Sequence, residues 1–132
     1  MNETAEFSSA SRRPVVILAE RDALVRDLLA TALKRLNLKV VTAAEGDEAL
    51  TLCYQQPPDL LITDIWLPHL NGLDLIRRLK QEDRLIHTQV IIITSLGFPE
   101  VVAEAAALGV QDFLIKPVDT EELLARVQRR LG

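Results

Sequence analysis

The chain of 132 residues contains one cysteine, one tryptophan, one tyrosine and one methionine, and these scarcities narrow the possibilities at once. A single thiol, Cys53, cannot close an internal disulfide. With His69 and His87 as the only imidazoles there is no Cys/His cluster of zinc-ligand spacing, so the expected compartment is a reducing cytoplasm. No basic run is longer than a pair such as Arg12-Arg13, Arg77-Arg78 or Arg129-Arg130, and the formal net charge is −4; the footprint of a protein that binds nucleic acid directly is absent. The longest apolar runs, such as residues 15–19, are far too short to span a bilayer, and residues 1–13 lack the apolar stretch of a signal peptide. No membrane association is expected. What remains is a chain with 48% hydrophobic and 26% charged residues, long enough for one domain with a substantial core.

Residues 2–13 (NETAEFSSASRR) are small, polar and without period, so residues 1–13 are expected to be a flexible lead-in to a single domain over 14–132. From Pro14 onward, short aliphatic runs at 15–19, 39–43, 60–63, 90–94 and 113–115 alternate with longer segments at 23–36, 46–55, 73–81, 100–108 and 120–131. The runs are almost continuously apolar, which suits strands buried on both faces of a parallel sheet. The longer segments have helical spacing. Leu24 and Leu28 lie on one line of the first, with Val25, Leu29, Ala32 and Leu36 on another. In the last, Leu123, Leu124, Val127 and Leu131 recur, with Asp119 or Thr120 as cap and Arg126, Arg129 and Arg130 near the carboxyl end, where cations favour the helix dipole. Gly109 suits a helix stop. The segment 100–108 is rich in Val and Ala, which fits either an ordinary buried helix or a partner face. The expected fold is α/β, a doubly wound (βα)₅ flavodoxin-like sandwich whose parallel sheet has strand order 2-1-3-4-5.

In such sheets the site lies beyond the carboxyl ends of the strands, where the order reverses. The first predicted strand ends in Glu20-Arg21-Asp22, the third in Asp64, the fourth in Thr94-Ser95 and the fifth in Lys116-Pro117. Asp22 also suits a helix cap, Thr94 an ordinary strand residue and Lys116 a solvated lysine. Asp64 is less easily dismissed: a carboxylate at the mouth of the apolar strand Leu60-Leu61-Ile62-Thr63 needs a partner or a purpose. A carboxylate nucleophile with a lysine and a hydroxyl nearby suits acceptance of a phosphoryl group, the lysine neutralising and the hydroxyl hydrogen-bonding its oxygens. Asp64, Lys116 and Thr94 are the candidates.

From 14 to 131 the sequence resembles the receiver domains of two-component response regulators. Residues 59–72 (DLLITDIWLPHLNG) resemble the phosphoacceptor strand and its loop, 90–95 (VIIITS) the switch-threonine strand, and 108–117 (LGVQDFLIKP) the segment with the switch aromatic and the lysine. The resemblance implies Asp64 as phosphoacceptor, Thr94 and Phe113 as the switch, Lys116 as the phosphoryl-neutralising lysine, and a Lys116–Pro117 bond that is often cis in the family. It further implies Mg²⁺ held by Glu20, Asp64 and the backbone carbonyl of Trp66. The second acid that the family places on the first strand is here Arg21, so metal binding is expected to be weakened unless Asp22 turns inward to replace it.

The expected partners are a histidine kinase or a histidine phosphotransfer protein. The signal is then expected to leave through the face of the fourth and fifth helices, to a downstream protein or a second copy, since no output segment follows Leu131 in this sequence. An alternative is a degenerate receiver that acts as an interaction module independent of phosphorylation, with Arg21 as its evidence. A haloacid-dehalogenase-like phosphatase would need a second Asp at position 66, which is Trp66, and a flavodoxin-like cofactor binder would need a Gly- and hydroxyl-rich phosphate loop after the first strand. Cys53 reads as inert core.

Overall fold

The computed structural model of the protein describes residues 12–95 and 97–132; the expected lead-in, apart from Arg12 and Arg13, lies outside the described residues. The elements alternate without exception: β1 (Val15–Ala19), α1 (Ala23–Leu33), β2 (Lys39–Ala43), α2 (Gly46–Gln55), β3 (Leu60–Asp64), α3 (Gly72–Lys80), β4 (Gln89–Thr94), α4 (Pro99–Ala107), β5 (Asp112–Ile115) and α5 (Thr120–Leu131). All strand pairs are parallel, in the order β2-β1-β3-β4-β5, as expected from the alternation.

Residue parity along each strand divides the core in two, because successive side chains point to opposite faces. Val16, Leu18, Leu60, Ile62, Ile91, Ile93 and Leu114 pack with Leu29, Leu33, Leu123 and Val127 of α1 and α5. On the other face Ile17, Ala19, Leu61 and Ile92 pack with Ala49, Cys53, Leu75, Ile76 and Ala105 of α2, α3 and α4. Each fully buried Leu or Ile stabilises the fold by about 1.5–3 kcal/mol relative to exposure.

Several local expectations need correction. β2 is an edge strand, and only Ala43 is buried in it; a run as apolar as Val40-Val41 does not reveal whether a second neighbour will cover it. On α1 the line of Val25, Leu29 and Ala32 faces the sheet, whereas Leu24 and Leu28 are 79% and 58% exposed. α1 ends at Leu33, with Lys34 as its C-cap, rather than at Leu36. α4 buries only Ala105 completely. Val101 and Leu108 pack partly against the core, but Val102 is exposed, so α4 is not an ordinary buried helix. Gly109 does terminate it, with a φ of 87° in the left-handed region. Asp119 caps α5 by accepting from the amides of Glu121 and Glu122.

Candidate functional site

The carboxyl edge of the sheet brings together residues from four separate segments. Glu20 follows β1 directly and is fully buried. Its amide donates to the Ala43 carbonyl at 3.0 Å, and its Oε2 accepts from the Asp22 amide at 2.8 Å. Asp64 ends β3 and is 3% exposed, with Oδ1 accepting from the Trp66 amide at 3.2 Å. Lys116 follows β5, where its amide donates to the Thr94 carbonyl at 2.8 Å; the next peptide bond, to Pro117, is cis.

The Lys116 ammonium lies between the two carboxylates, 2.6 Å from Glu20 Oε1 and 2.6 Å from Asp64 Oδ2. Its side chain is only 19% exposed, so it is not a solvated surface lysine. Burial alone would lower its pKa, but the hydrogen bonds and negative charges of Asp64 and Glu20 outweigh that and raise it above 10.5. Two buried carboxylates thus share one partly buried ammonium, an arrangement that needs all three members to be tolerable in the interior.

Thr94 ends β4 and is fully buried. β4 pairs with β3 so that Asp64 stands opposite Ile93, which puts Thr94 one residue further along the neighbouring strand. Ile92 and Phe113 are register partners and pack in the same cluster. By alternation Thr94 shares their face, and Phe113 is half-buried there, its ring beside Gly97 in the segment leading into α4. Trp66 is 47% exposed on the loop leaving β3. That loop can turn sharply because Gly72 has no side chain: a Cβ there would come within 2.1 Å of the Asp64 carbonyl oxygen. Its amide donates to Ile65 at 2.7 Å.

The first predicted site cluster divides by role. Asp22 is the N-cap of α1, its Oδ1 accepting from Leu24 and Val25 at 2.9 and 3.1 Å. Turning that carboxylate inward would forfeit the cap, typically worth about 1 kcal/mol. Arg21 is exposed, and its side chain has no partner among the described residues. Arg26 was not anticipated: its guanidinium donates to the carbonyls of Glu20 at 2.8 Å and Arg21 at 3.4 Å, fastening the β1–α1 turn. Its only signal in the sequence is a lone cation on an otherwise apolar first stretch of helix.

These residues do not fit a three-acid Mg²⁺ cradle. Among the described residues no group of three or more His, Cys, Asp or Glu side chains converges in a way that could hold a metal. Glu20 and Asp64 are the two acids present, and the cation between them is Lys116. Together these three leave one negative charge, which Arg21 cancels.

A doubly wound five-stranded sheet with acids after β1 and at the end of β3, a buried threonine at the end of β4 and a lysine after β5 defines a receiver-type signalling domain. The comparisons agree, and the chain belongs to the response regulator receiver domain family, whose pattern matches residues 16–128. It is 34% identical over 118 residues to the phosphate regulon transcriptional regulatory protein PhoB of Rhizobium meliloti, covering 89% of this chain and 52% of that protein. To the DNA-binding dual master transcriptional regulator RpaA of Synechocystis it is 31% identical over 118 residues, covering 89% and 49%. The chain thus spans about half the length of these curated relatives. Among solved structures, the chemotaxis response regulator CheY4 of Vibrio cholerae superposes with a TM-score of 0.83 at 26% identity, covering 90% of this chain and 99% of that one. The receiver domain of Francisella response regulator 1452 gives 0.81 at 30% identity, covering 89% and 96%. No helix among the described residues is long and apolar enough to cross a membrane.

Proposed function

We propose that Asp64 accepts a phosphoryl group from a histidine kinase or a histidine phosphotransfer protein, and that the protein signals through the α4–α5 face to a protein partner or a second copy. The observation that carries this reading is the Lys116 ammonium, 2.6 Å from Asp64 Oδ2. In the transfer an Asp64 carboxylate oxygen forms a bond to phosphorus as the phosphorus–nitrogen bond to the donor imidazole breaks, and the imidazole nitrogen keeps the electron pair and takes up a proton. Lys116 neutralises charge gathering on the phosphoryl oxygens, and the Thr94 hydroxyl donates a charge-assisted hydrogen bond to one of them. Drawing Thr94 inward leaves room on its face for Phe113, and α4, with only Ala105 fully buried, is the element least held against the resulting change. The domain assists its own phosphorylation and dephosphorylation without acting on another substrate.

Arg21 supports a second reading. With a cation where the family places an acid, Mg²⁺ affinity through Glu20, Asp64 and the Trp66 carbonyl falls well below that of a site with an acid at position 21, and the domain acts as an interaction module independent of phosphorylation. Incubation with a small phosphodonor, with and without Mg²⁺, followed by intact mass, separates the two. The first reading expects a gain of one phosphoryl group that Asp64→Asn abolishes; the second expects no gain in either condition.

A further inference from the structure

At the pole opposite Asp64, where β4 and β5 begin, the lining of a largely polar hollow of about 270 Å³ includes Lys80, His87, Gln89, Gln111 and Arg130 beside the apolar Ile86 and Val90, and no carboxylate residue is among it. This inverts the character of a chain whose net charge is −4. The cations arrive there for local reasons. Lys80 closes α3 and Arg130 the last turn of α5, each favoured by the carboxyl end of its helix. The Lys80 ammonium and the His87 ring have no partner among the described residues.

Arg130, in contrast, is held in place. Its Nε is 2.8 Å from Asp112 Oδ2, an ion pair without hydrogen-bond geometry, and its Nη1 donates to Gln111 Oε1 at 3.1 Å. Asp112 is 3% exposed and also faces Arg126 at 2.7 Å and Arg129 at 3.4 Å. One carboxylate therefore meets three guanidiniums, and Glu122, 2.9 Å from Arg126, offsets one more. An excess positive charge remains beside the hollow. The Asp112 carboxylate orients Arg130 without itself lining the hollow.

We propose that this hollow binds a small phosphate-bearing anion. A guanidinium and a compact ammonium suit a tetrahedral oxyanion, and the His87 ring and the Gln111 side-chain amide supply further polar groups, while the Gln89 side-chain amide donates to the Arg130 carbonyl. The volume falls just below the range of about 300–1,000 Å³ typical of pockets for drug-sized ligands, which favours a phosphate or a small phosphate ester over a peptide. Thr94, at the far end of β4, is roughly 17 Å away at the usual rise per strand residue, so this anion site is separate from the phosphoacceptor.

Pyrophosphate titrated into the uniformly ¹⁵N-labelled full chain, read by amide chemical shifts, tests the proposal. The expected result is saturable shifts at Gln89, Gly109 and Gln111 with half-saturation below about 1 mM, retained in Asp64→Asn and weakened about tenfold in the double variant Lys80→Ala, His87→Ala. Both substitutions trim side chains without partners among the described residues, and unchanged dispersion of the remaining amides checks that the variant is folded. Three results would overturn the proposal: shifts confined to the Asp64 pole, malonate binding as tightly as pyrophosphate, or unchanged affinity in the folded double variant. Sedimentation with phosphatidylglycerol vesicles separates a lipid headgroup from a free anion, and vesicle binding without pyrophosphate binding counts against it.

Discussion

Replacing Arg21 by Asp changes the site by two charges without touching a buried side chain. In the wild type Glu20, Asp64 and Lys116 leave one negative charge and Arg21 cancels it; in Arg21→Asp the same groups sum to −2. Unit charges 4 Å apart interact by about 4 kcal/mol at an effective dielectric of 20. Arg21 is exposed and can direct its charge into water, so solvent screening reduces the realised difference severalfold. An increase of roughly 10- to 100-fold in Mg²⁺ affinity follows, each tenfold step corresponding to about 1.4 kcal/mol. Trp66 is the only tryptophan, and its amide is bonded to Asp64 Oδ1, so its fluorescence during a Mg²⁺ titration reports on the site directly. The variant is expected to saturate at a Mg²⁺ concentration at least tenfold below any wild-type midpoint. Saturation of the wild type at low-millimolar Mg²⁺ with the same midpoint in Arg21→Asp would refute the reasoning and show that another group completes a metal site.

The remaining predictions follow from the same geometry. Thr94→Ala should still gain a phosphoryl group but lose the dependence of partner binding on it, measured by pull-down or calorimetry with and without phosphodonor; a response equal to wild type would remove Thr94 from the switch. Lys116→Met leaves the buried carboxylates of Glu20 and Asp64 without their cation, so denaturant melts at pH 7 should show a loss of about 3 kcal/mol, and an unchanged midpoint would remove Lys116 from the cluster. Cys53 is fully buried, and burial pushes its thiol up to about 12; it should resist alkylation until the protein unfolds. Both the thiol and Lys116 titrate higher in the folded state, so the stability they contribute is complete below the unfolded values of 9.0 and 10.5 and is lost as the pH rises through the folded ones. Thermal melts should therefore fall above about pH 9 as the thiol's contribution is lost, with the Lys116 contribution lost only above about 10.5, and a flat profile to about pH 11 would contradict the Cys53 assignment.

How much was legible in the sequence depended on how local the cause was. Strand runs, the caps at Asp22 and Asp119, the left-handed stop at Gly109 and the strand order follow from neighbouring residues and general rules of chain connection, and the structure agrees with them. Topology alone makes β2 an edge, and packing alone decides that Val25 and Leu29 rather than Leu24 and Leu28 face the sheet. The conjunction of Glu20, Asp64 and Lys116 was legible because all three follow or end predicted strands at one edge of a parallel sheet. Arg26 was not, because its partners are backbone carbonyls, which carry no signature in sequence. The charge cluster on Asp112 was missed for a related reason: a buried Asp at the start of a strand reads as a surface residue until the helix 14 to 18 positions later is folded across it.

The central claim, that Asp64 is the phosphoacceptor, is tested most directly by treating the freshly purified protein with a small phosphodonor, trapping any acyl phosphate with borohydride, and locating the reduced residue by peptide mass spectrometry. The account predicts a single reduced residue at Asp64, absent in Asp64→Asn and more abundant in Arg21→Asp at equal Mg²⁺. Trapping at another acid, or undiminished trapping in Asp64→Asn, would contradict it.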